Sequence, residues 1–296
     1  MRKPFVLGAW VLVLGAGAVL GACAPARSTS TQHLAAERVP ARAERAIDIV
    51  LEGFDRDAAM GHVEFMSRYW RLAGNDGFDQ SIDRVYERLI AGGFTMDRRT
   101  RGLADDPPVA PVRIHSYPNQ GHGWDHTVGT LALVDADGEM VPILSKERER
   151  LALCINSFST PGAGRVLRVV DAGRGDRAAD YEGRDVKDAI VLGDADAGRL
   201  WREATSRGAA GVVSTALGTY IRPTPPGEPE PPRDEWDILQ WSSIPYDKDK
   251  RSFGFKATPR AAAEMRRRLA AGPLQALVRI ASSFTERPAR MVIAEL

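Results

Sequence analysis

A strand, a helix and a second strand follow one another in the middle of the chain, and this succession constrains the fold most. An apolar run at residues 189–192 leads to Asp196, after which apolar side chains recur at helical spacing until Gly208. A second apolar run, residues 211–214, follows at once. Because parallel neighbouring strands need a crossover connection, usually a helix, this succession predicts a βαβ unit.

Short apolar runs on both sides of this unit predict further strands. Residues 130–134, 141–144 and 166–170 have strand length, and the DADG sequence at 135–138 is typical of a turn between the first two. Residues 222–233 hold six prolines in twelve positions, and proline cannot continue a ladder or a helix. We therefore predict an α/β (α+β mixture) fold with a β-rich centre and an exposed extended loop at 222–233.

Three helices are predicted before this centre. Apolar residues return at helical spacing over residues 41–53 and 55–72, where Asp55 is a plausible N-cap. A third helix is expected to begin at Asp79 or Ser81 and to end at the glycine pair that starts with Gly92.

The end of the sequence predicts one more helix and two strands. Thr258 and Pro259 have the composition of a helix start, and the glycine and proline at 272–273 have that of a stop. Residues 276–284 and 290–296 follow as apolar strands, with a turn at 286–288 between them. The two strands are therefore expected to form a terminal β-hairpin.

The first residues predict export. Arg2 and Lys3 precede an apolar run at residues 5–20, which is typical of a secretory signal peptide over 1–22. Leu20-Gly21-Ala22-Cys23 is similar to the lipobox of bacterial lipoproteins, in which the cysteine thiol receives diacylglycerol. Cys23 is thus the predicted lipidation site, with a tether over 23–40; the alternative is an ordinary signal in which Cys23 lies near the cleavage point by accident.

Charge and cysteine usage restrict the possible chemistry. The chain has 40 basic and 39 acidic side chains, and signal removal leaves 38 basic ones, so nothing favours nucleic acid as a partner. Cys154 would be the one free cysteine of the processed chain, and it lies in an apolar run. We expect it to be a buried, inert thiol and not a nucleophile.

Three segments carry a resemblance to a known family. The first is HVEFMS at 62–67, followed by RLAG at 71–74 and a helix that ends in LIAGGF at 89–94. The second is YEGRDVKDAIVL at 181–192 with ATSRGAAGVV at 204–213. The third is FGFKATP at 253–259 with its helix and the terminal VIAEL at 292–296.

In this order the segments resemble the N-terminal portion of two-zinc aminopeptidases, the peptidase family of leucyl aminopeptidases and glutamate carboxypeptidases. The second segment is similar to a protease-associated (PA) domain, although Asp188-Ala189 stands where that domain favours Gly-Lys. The resemblance implies an N-terminal helical segment at 41–128, a self-contained PA-like domain at 129–257, and a helix plus hairpin at 258–296. These last elements would lead to an absent catalytic domain, leaving apolar faces at 82–89 and 291–296 without a partner.

The family binds two zinc ions through a His-x-Asp motif, a bridging Asp, a Glu-Glu pair and further ligands, and this sequence contains neither that histidine motif nor a Glu-Glu pair. We therefore assign no catalytic residue and no cofactor to this chain; zinc is implied only for the full-length family. The resemblance implies peptides or proteins as substrates and a separate catalytic chain as a possible partner. The lipobox predicts a membrane anchor facing the periplasm or the exterior. The alternative is a stand-alone PA-like lipoprotein that binds peptides or a partner protein.

Two groups of residues are candidates for binding. His115, His122 and His126 lie close together in sequence and are weak metal candidates, although the glycines among them favour a polar surface loop. Trp236, Trp241 and Tyr246 follow the proline-rich stretch and could stack a peptide or a sugar, the alternative being half-buried packing.

Overall fold

A computed structural model describes residues 41–96, 110–119, 121–218 and 236–295. The chain divides into two compact units, Met1–Asp57 and Ala58–Leu296. The predicted signal peptide, tether and Cys23, like the proline-rich stretch at 222–233, lie outside the described residues. None of the described helices is long and apolar enough to cross a membrane.

Helix α1 (Ala41–Glu52) belongs to the first unit and matches its prediction. Helix α2 spans Arg56–Ser67, so it begins as predicted but ends before the predicted limit at Leu72. Helix α3 runs over Asp76–Ala91. The predicted start at Asp79 or Ser81 was wrong, because the Asn75 side chain accepts a hydrogen bond from the Phe78 amide at 2.8 Å and caps the helix one turn earlier. The predicted end is confirmed, with Gly92 as the C-cap.

Ten strands of the described residues form two sheets. The strands are β1 (Thr95–Met96), β2 (Pro111–Tyr117), β3 (Gly123–Val134), β4 (Met140–Ser145), β5 (Arg165–Asp171), β6 (Ile190–Gly193), β7 (Gly211–Ser214), β8 (Phe253–Lys256), β9 (Leu274–Thr285) and β10 (Ala289–Ala294). The smaller sheet has the order β1-β2-β10, and the larger has the order β4-β3-β9-β5-β6-β7-β8. The mixed α/β fold class is thus confirmed.

The predicted βαβ unit is present in the larger sheet. β6 and β7 are parallel neighbours, and α4 (Ala197–Ser206) connects them, with Asp196 accepting a hydrogen bond from the Gly198 amide at 3.0 Å. Leu200 and Trp201 of α4 are buried against the sheet. The sheet is parallel from β5 to β8 and antiparallel from β4 to β5.

The terminal strands do not form the predicted hairpin. β9 is antiparallel to both β3 and β5 in the larger sheet, so both of its edges are occupied, and β10 pairs with β2 in the smaller sheet. Helix α5 (Pro259–Ala271) precedes β9 and begins as predicted, since the Thr258 hydroxyl accepts a hydrogen bond from the Ala261 amide at 3.1 Å.

The larger sheet extends across both predicted boundaries of the PA-like domain. The larger sheet includes strands on both sides of residue 257, and β3 crosses residue 128. A PA-like domain confined to 129–257 would therefore lose β9 from the middle of the sheet. The core confirms this continuity, because Met265 of α5 is packed with Trp124 of β3 and Phe255 of β8 in one buried cluster.

Candidate binding cleft

A cleft of about 860 Å³ lies among the segment that joins α2 to α3, the beginning of β3 and the turn after β4. Its apolar lining consists of Trp70, Leu72, Leu151, Ile155 and Trp241. Its charged lining consists of Arg68, Arg71, Asp76, Asp125, Lys146, Glu147 and Arg150. An apolar surface interrupted by a few polar groups is the usual composition of a ligand site.

Two glycines bring one wall of the cleft against β3. Gly74 has a φ of +86°, a conformation that side chains other than glycine rarely adopt. A Cβ atom on Gly123 would lie 2.5 Å from the Gly74 carbonyl oxygen, so this close approach also needs glycine. Asn75 then joins the two segments, because its amide donates to the Trp70 carbonyl at 2.8 Å and to the Trp124 carbonyl at 3.3 Å.

His126 stands in this wall among aromatic rings. Its ring stacks on Trp124 with centroids 4.9 Å apart, and Trp70 meets it edge-on at 6.4 Å. Trp124 is itself fixed by a 3.0 Å hydrogen bond from its indole nitrogen to the Ser157 carbonyl. His126 is only 4% exposed, yet it lines the cleft.

The His126 ring is neutral at physiological pH. Burial and, to a smaller extent, the neighbouring Lys146 ammonium lower its pKa to about 4, against the opposing carboxylates of Asp125 and Glu147. Among the described residues, neither ring nitrogen has a hydrogen-bond partner, and the Trp70 indole nitrogen also lacks one. A neutral imidazole offers one donor and one acceptor, so this wall presents two donors and one acceptor that the protein does not use.

The backbone of β3 is also held by side chains here. Lys146 Nζ donates to the His126 carbonyl, and the His126 amide donates to Asp125 Oδ1 at 2.7 Å. The pairing of β3 with β9 shifts register between His126 and Val128, and such bulges re-aim side chains beside functional sites.

A second cavity of about 390 Å³ adjoins the first. Asp76, Asp125, His126, Thr127 and Lys146 line both cavities. The rest of the second lining is mainly polar and comes from β9 and its neighbours: Asn75, Ala281, Ser282, Ser283, Thr285 and Arg287. The side chains around His126 therefore separate an aromatic cavity from a polar one.

Of the three histidines predicted as weak metal candidates, His115 and His126 lie on strands and not in the predicted surface loop, whereas His122 lies outside the strands. His115 lies on β2 and stacks on Tyr117 at 6.3 Å. His122 lies just before β3 and contacts the ring of Tyr246 at 4.2 Å. Each of the three histidines thus packs in a different aromatic environment.

The described residues do not assemble a two-zinc site. Within them, three possible ligand atoms come within 4.8 Å of one another only at Asp135, Asp137 and Glu139, in the turn between β3 and β4. This group offers carboxylate oxygens alone, two of its residues are exposed, and zinc in proteins is bound mainly through sulfur and imidazole nitrogen. We derive no chemical step through a metal.

The residues of the predicted aromatic set do not come together in one site. Trp241 lines the cleft and is 63% exposed. Tyr246 packs instead among His122, Phe158 and Phe284. Trp236 is 43% exposed and does not line this cleft.

Cys154 and the pair of Lys256 and Ser214, outside the cleft, are buried. Cys154 is fully buried, and burial raises the pKa of its thiol to about 12, as expected for an inert cysteine. Lys256 Nζ donates to Ser214 Oγ at 3.2 Å, a pair that the sequence did not indicate. Burial lowers the pKa of Lys256, but both side chains are sealed within the βαβ region, where a substrate has no access.

Comparisons with known proteins find similarity in structure only. No family profile and no curated protein sequence matches the chain. Among solved structures, an aminopeptidase from Aneurinibacillus sp. strain AM-1 is similar at 16% identity, with a TM-score of 0.45 over 81% of this chain and 47% of that one. A peptidase M28 precursor from Shewanella amazonensis has 15% identity and a TM-score of 0.45, over 76% of this chain and 45% of that one.

The zinc aminopeptidase BSAP from Bacillus subtilis is 19% identical, with a TM-score of 0.41 over 79% of this chain and 46% of that one. This chain therefore spans somewhat less than half the length of each of the three structures.

Proposed function

We infer that this chain binds peptides, or an exposed segment of a partner protein, in the cleft beside His126. The observation that carries this proposal is the cleft itself, a cavity of ligand size with an apolar aromatic surface, charged groups, and unused hydrogen-bonding atoms in its wall. Exposed tryptophan such as Trp241 is typical of residues that dominate binding energy at protein interfaces.

Charged groups of both signs suit a peptide better than a uniformly charged ligand. Arg71 and Lys146 lie in the same lining as Asp125 and Glu147, so the site can meet both a peptide's amides and its charged side chains. A polyanion such as nucleic acid would meet no uniformly positive surface here, because carboxylates lie among the basic groups.

The binding test uses a pool of fluorescein-labelled, end-capped hexapeptides and fluorescence anisotropy on the purified chain. We expect micromolar binding by a subset of the pool, and Trp241→Ala should weaken it about tenfold, the loss typical of a hot-spot residue. Trp236→Ala is the matched comparison, because this tryptophan is exposed but lies outside the cleft lining. If Trp236→Ala alone weakened binding, the ligand would belong to the region after the proline-rich stretch and not to the cleft.

We further propose that the chain is an exported lipoprotein anchored through Cys23. The support is the sequence Leu20-Gly21-Ala22-Cys23 after a basic head and an apolar run. Two or more acyl chains bury enough methylene groups, at about 0.8 kcal/mol each, for stable attachment. Membrane fractionation and mass spectrometry test this: a Cys23→Ala variant that stayed on the membrane with unchanged acyl mass would refute it.

The chain is also proposed to be the PA-domain-containing front part of a zinc aminopeptidase-like protein, unable to hydrolyse peptides alone. The support is the order of the three segments at 62–94, 181–213 and 253–296, together with the missing His-x-Asp and Glu-Glu motifs. Removal of N-terminal residues from peptides would then belong to a longer or separate catalytic chain. Stoichiometric zinc together with chelator-sensitive hydrolysis of aminoacyl substrates by the purified chain would contradict this proposal.

A further inference from the structure

We propose that the ligand lies extended in the cleft and pairs its main chain with the edge of β3 at His126. This inference rests on the proposed peptide-binding function and specifies how the same cleft recognises its ligand.

One edge of β3 has no strand partner beside the cleft in the described part of the chain. β4 pairs with β3 only from Thr130 to Val134, whereas β9 pairs with β3 as far back as Gly123. Between Gly123 and Val128, β3 therefore has a strand partner on one side only within the described part of the chain. An edge of this kind is a template for an added strand.

Side chains form the hydrogen bonds at this edge of β3. Trp124 and His126 are two positions apart, so their backbone groups face the same side of the strand. Their partners there are side chains: Asn75 on the Trp124 carbonyl, Lys146 on the His126 carbonyl and Asp125 on the His126 amide. Asn75 is buried and stays on the Trp124 carbonyl, whereas Lys146 and Asp125 can turn to solvent when an incoming amide takes their place at His126.

The wall of the cleft contains hydrogen-bonding atoms that the described residues leave unused. The two ring nitrogens of His126 and the Trp70 indole nitrogen are buried and have no partner among the described residues. One neutral ring nitrogen accepts and the other donates, which matches the N–H and C=O of a peptide amide. Both residues line the cleft, so a peptide main chain bound there lies beside them.

The apolar lining determines which residues the ligand carries. Trp70, Leu72, Ile155 and Trp241 face the cavity beside this edge. Since alternate side chains of an added strand point the same way, the preferred ligand is an extended segment with apolar side chains at alternate positions.

The test uses the tightest-binding capped hexapeptide from the pool and two N-methylated forms of it. One form carries N-methyl groups at the odd amides and the other at the even amides, so only one form blocks the donors that face β3. We expect one form to bind about tenfold more weakly and the other to bind within about twofold of the parent. Equal affinity of the two forms would overturn main-chain pairing while leaving peptide binding intact; absence of binding by every peptide in the pool would refute the proposed function as well.

Two variants locate the pairing on β3. His126→Phe keeps the ring stacked on Trp124 but removes both nitrogens, and should weaken the parent peptide about fivefold. His122→Phe is the matched control, because His122 packs on Tyr246 outside the cleft, and it should leave affinity within about twofold. Thermal unfolding of each variant checks folding. Because the N-methyl comparison needs no variant, it decides the matter even if His126→Phe is unstable.

Discussion

The two sheets of this protein are stabilised in different ways. Every residue of β6, β7 and β8 in the larger sheet is buried, whereas β10 of the smaller sheet has one buried residue, Ala289. Helix α4 contributes five buried residues to the larger sheet, while α3 leaves Val85 37% exposed and β10 leaves Met291 47% exposed. The larger sheet is thus held by apolar burial, and the smaller one depends more on polar links.

The largest loss of stability should come from truncating a buried side chain of the larger sheet. Phe255 of β8 is fully buried in the core cluster. Phe255→Ala should therefore lower the free energy of unfolding by about 3–5 kcal/mol. Val85→Ala on α3 should lower it by less than about 1 kcal/mol, because this side chain is partly in water. Urea unfolding monitored by circular dichroism measures both. Similar losses for the two variants would abolish the distinction between the sheets.

A second expected effect is a pH dependence carried by His126. Since its pKa is about 4 when folded and 6.5 ordinarily, the unfolded chain binds a proton between these values that the folded chain does not. Stability therefore falls as pH decreases from about 6.5 to 4, by about 3 kcal/mol in all. His126→Phe should remove this part of the slope between pH 7 and 5, and His122→Phe should retain it. An unchanged slope in His126→Phe would show that the ring is hydrated and not buried.

A third test concerns the joint between the two regions. Asn75 is 1% exposed, caps α3 and holds the carbonyls of Trp70 and Trp124. Asn75→Ala should cost about 2 kcal/mol, because a helix cap is lost and buried carbonyls are left unsatisfied. Asn119→Ala is the control, since the half-buried Asn119 donates to one carbonyl, that of Ala73, and should cost about half as much. Chemical denaturation curves with equal slopes would make the two values comparable.

Local patterns predicted the parts of the fold that local contacts determine. The βαβ unit and the start at Thr258 follow from helical spacing, capping and the lengths of apolar runs, and the structure confirms them. The strand nature of residues 123–127 was missed because its pattern is short and begins at a glycine. The alternation of buried Trp124 and His126 with Asp125 was the pattern that could have revealed it.

Long-range pairing was not predictable in this way. β9 and β10 are adjacent in sequence, yet their partners lie more than a hundred residues away: Gly123 pairs with Thr285, and Tyr117 pairs with Ala289. The cleft has the same origin, because Trp70, His126 and Trp241 come from three distant segments. Of these residues, the sequence singled out His126 for metal binding and Trp241 for stacking, but it gave no reason to place them together.

The smallest effect should come from the polar links of the smaller sheet. Arg290 of β10 donates to both carboxylate oxygens of Asp83 on α3, at 2.5 and 3.3 Å, and the arginine side chain is only 23% exposed. Arg290→Met keeps much of the apolar stem and should lower stability by about 0.5–1 kcal/mol, a loss that 1 M salt should reduce. Arg260→Met is the matched control, because Arg260 pairs with Asp237 by two hydrogen bonds while both side chains are more than 60% exposed, and it should change stability by no more than about 0.3 kcal/mol. Urea unfolding at low and high salt separates these outcomes. If Arg290→Met cost nothing at low salt, the few buried apolar residues of the smaller sheet would have to stabilise it. The two sheets would then differ only in how much apolar surface they bury.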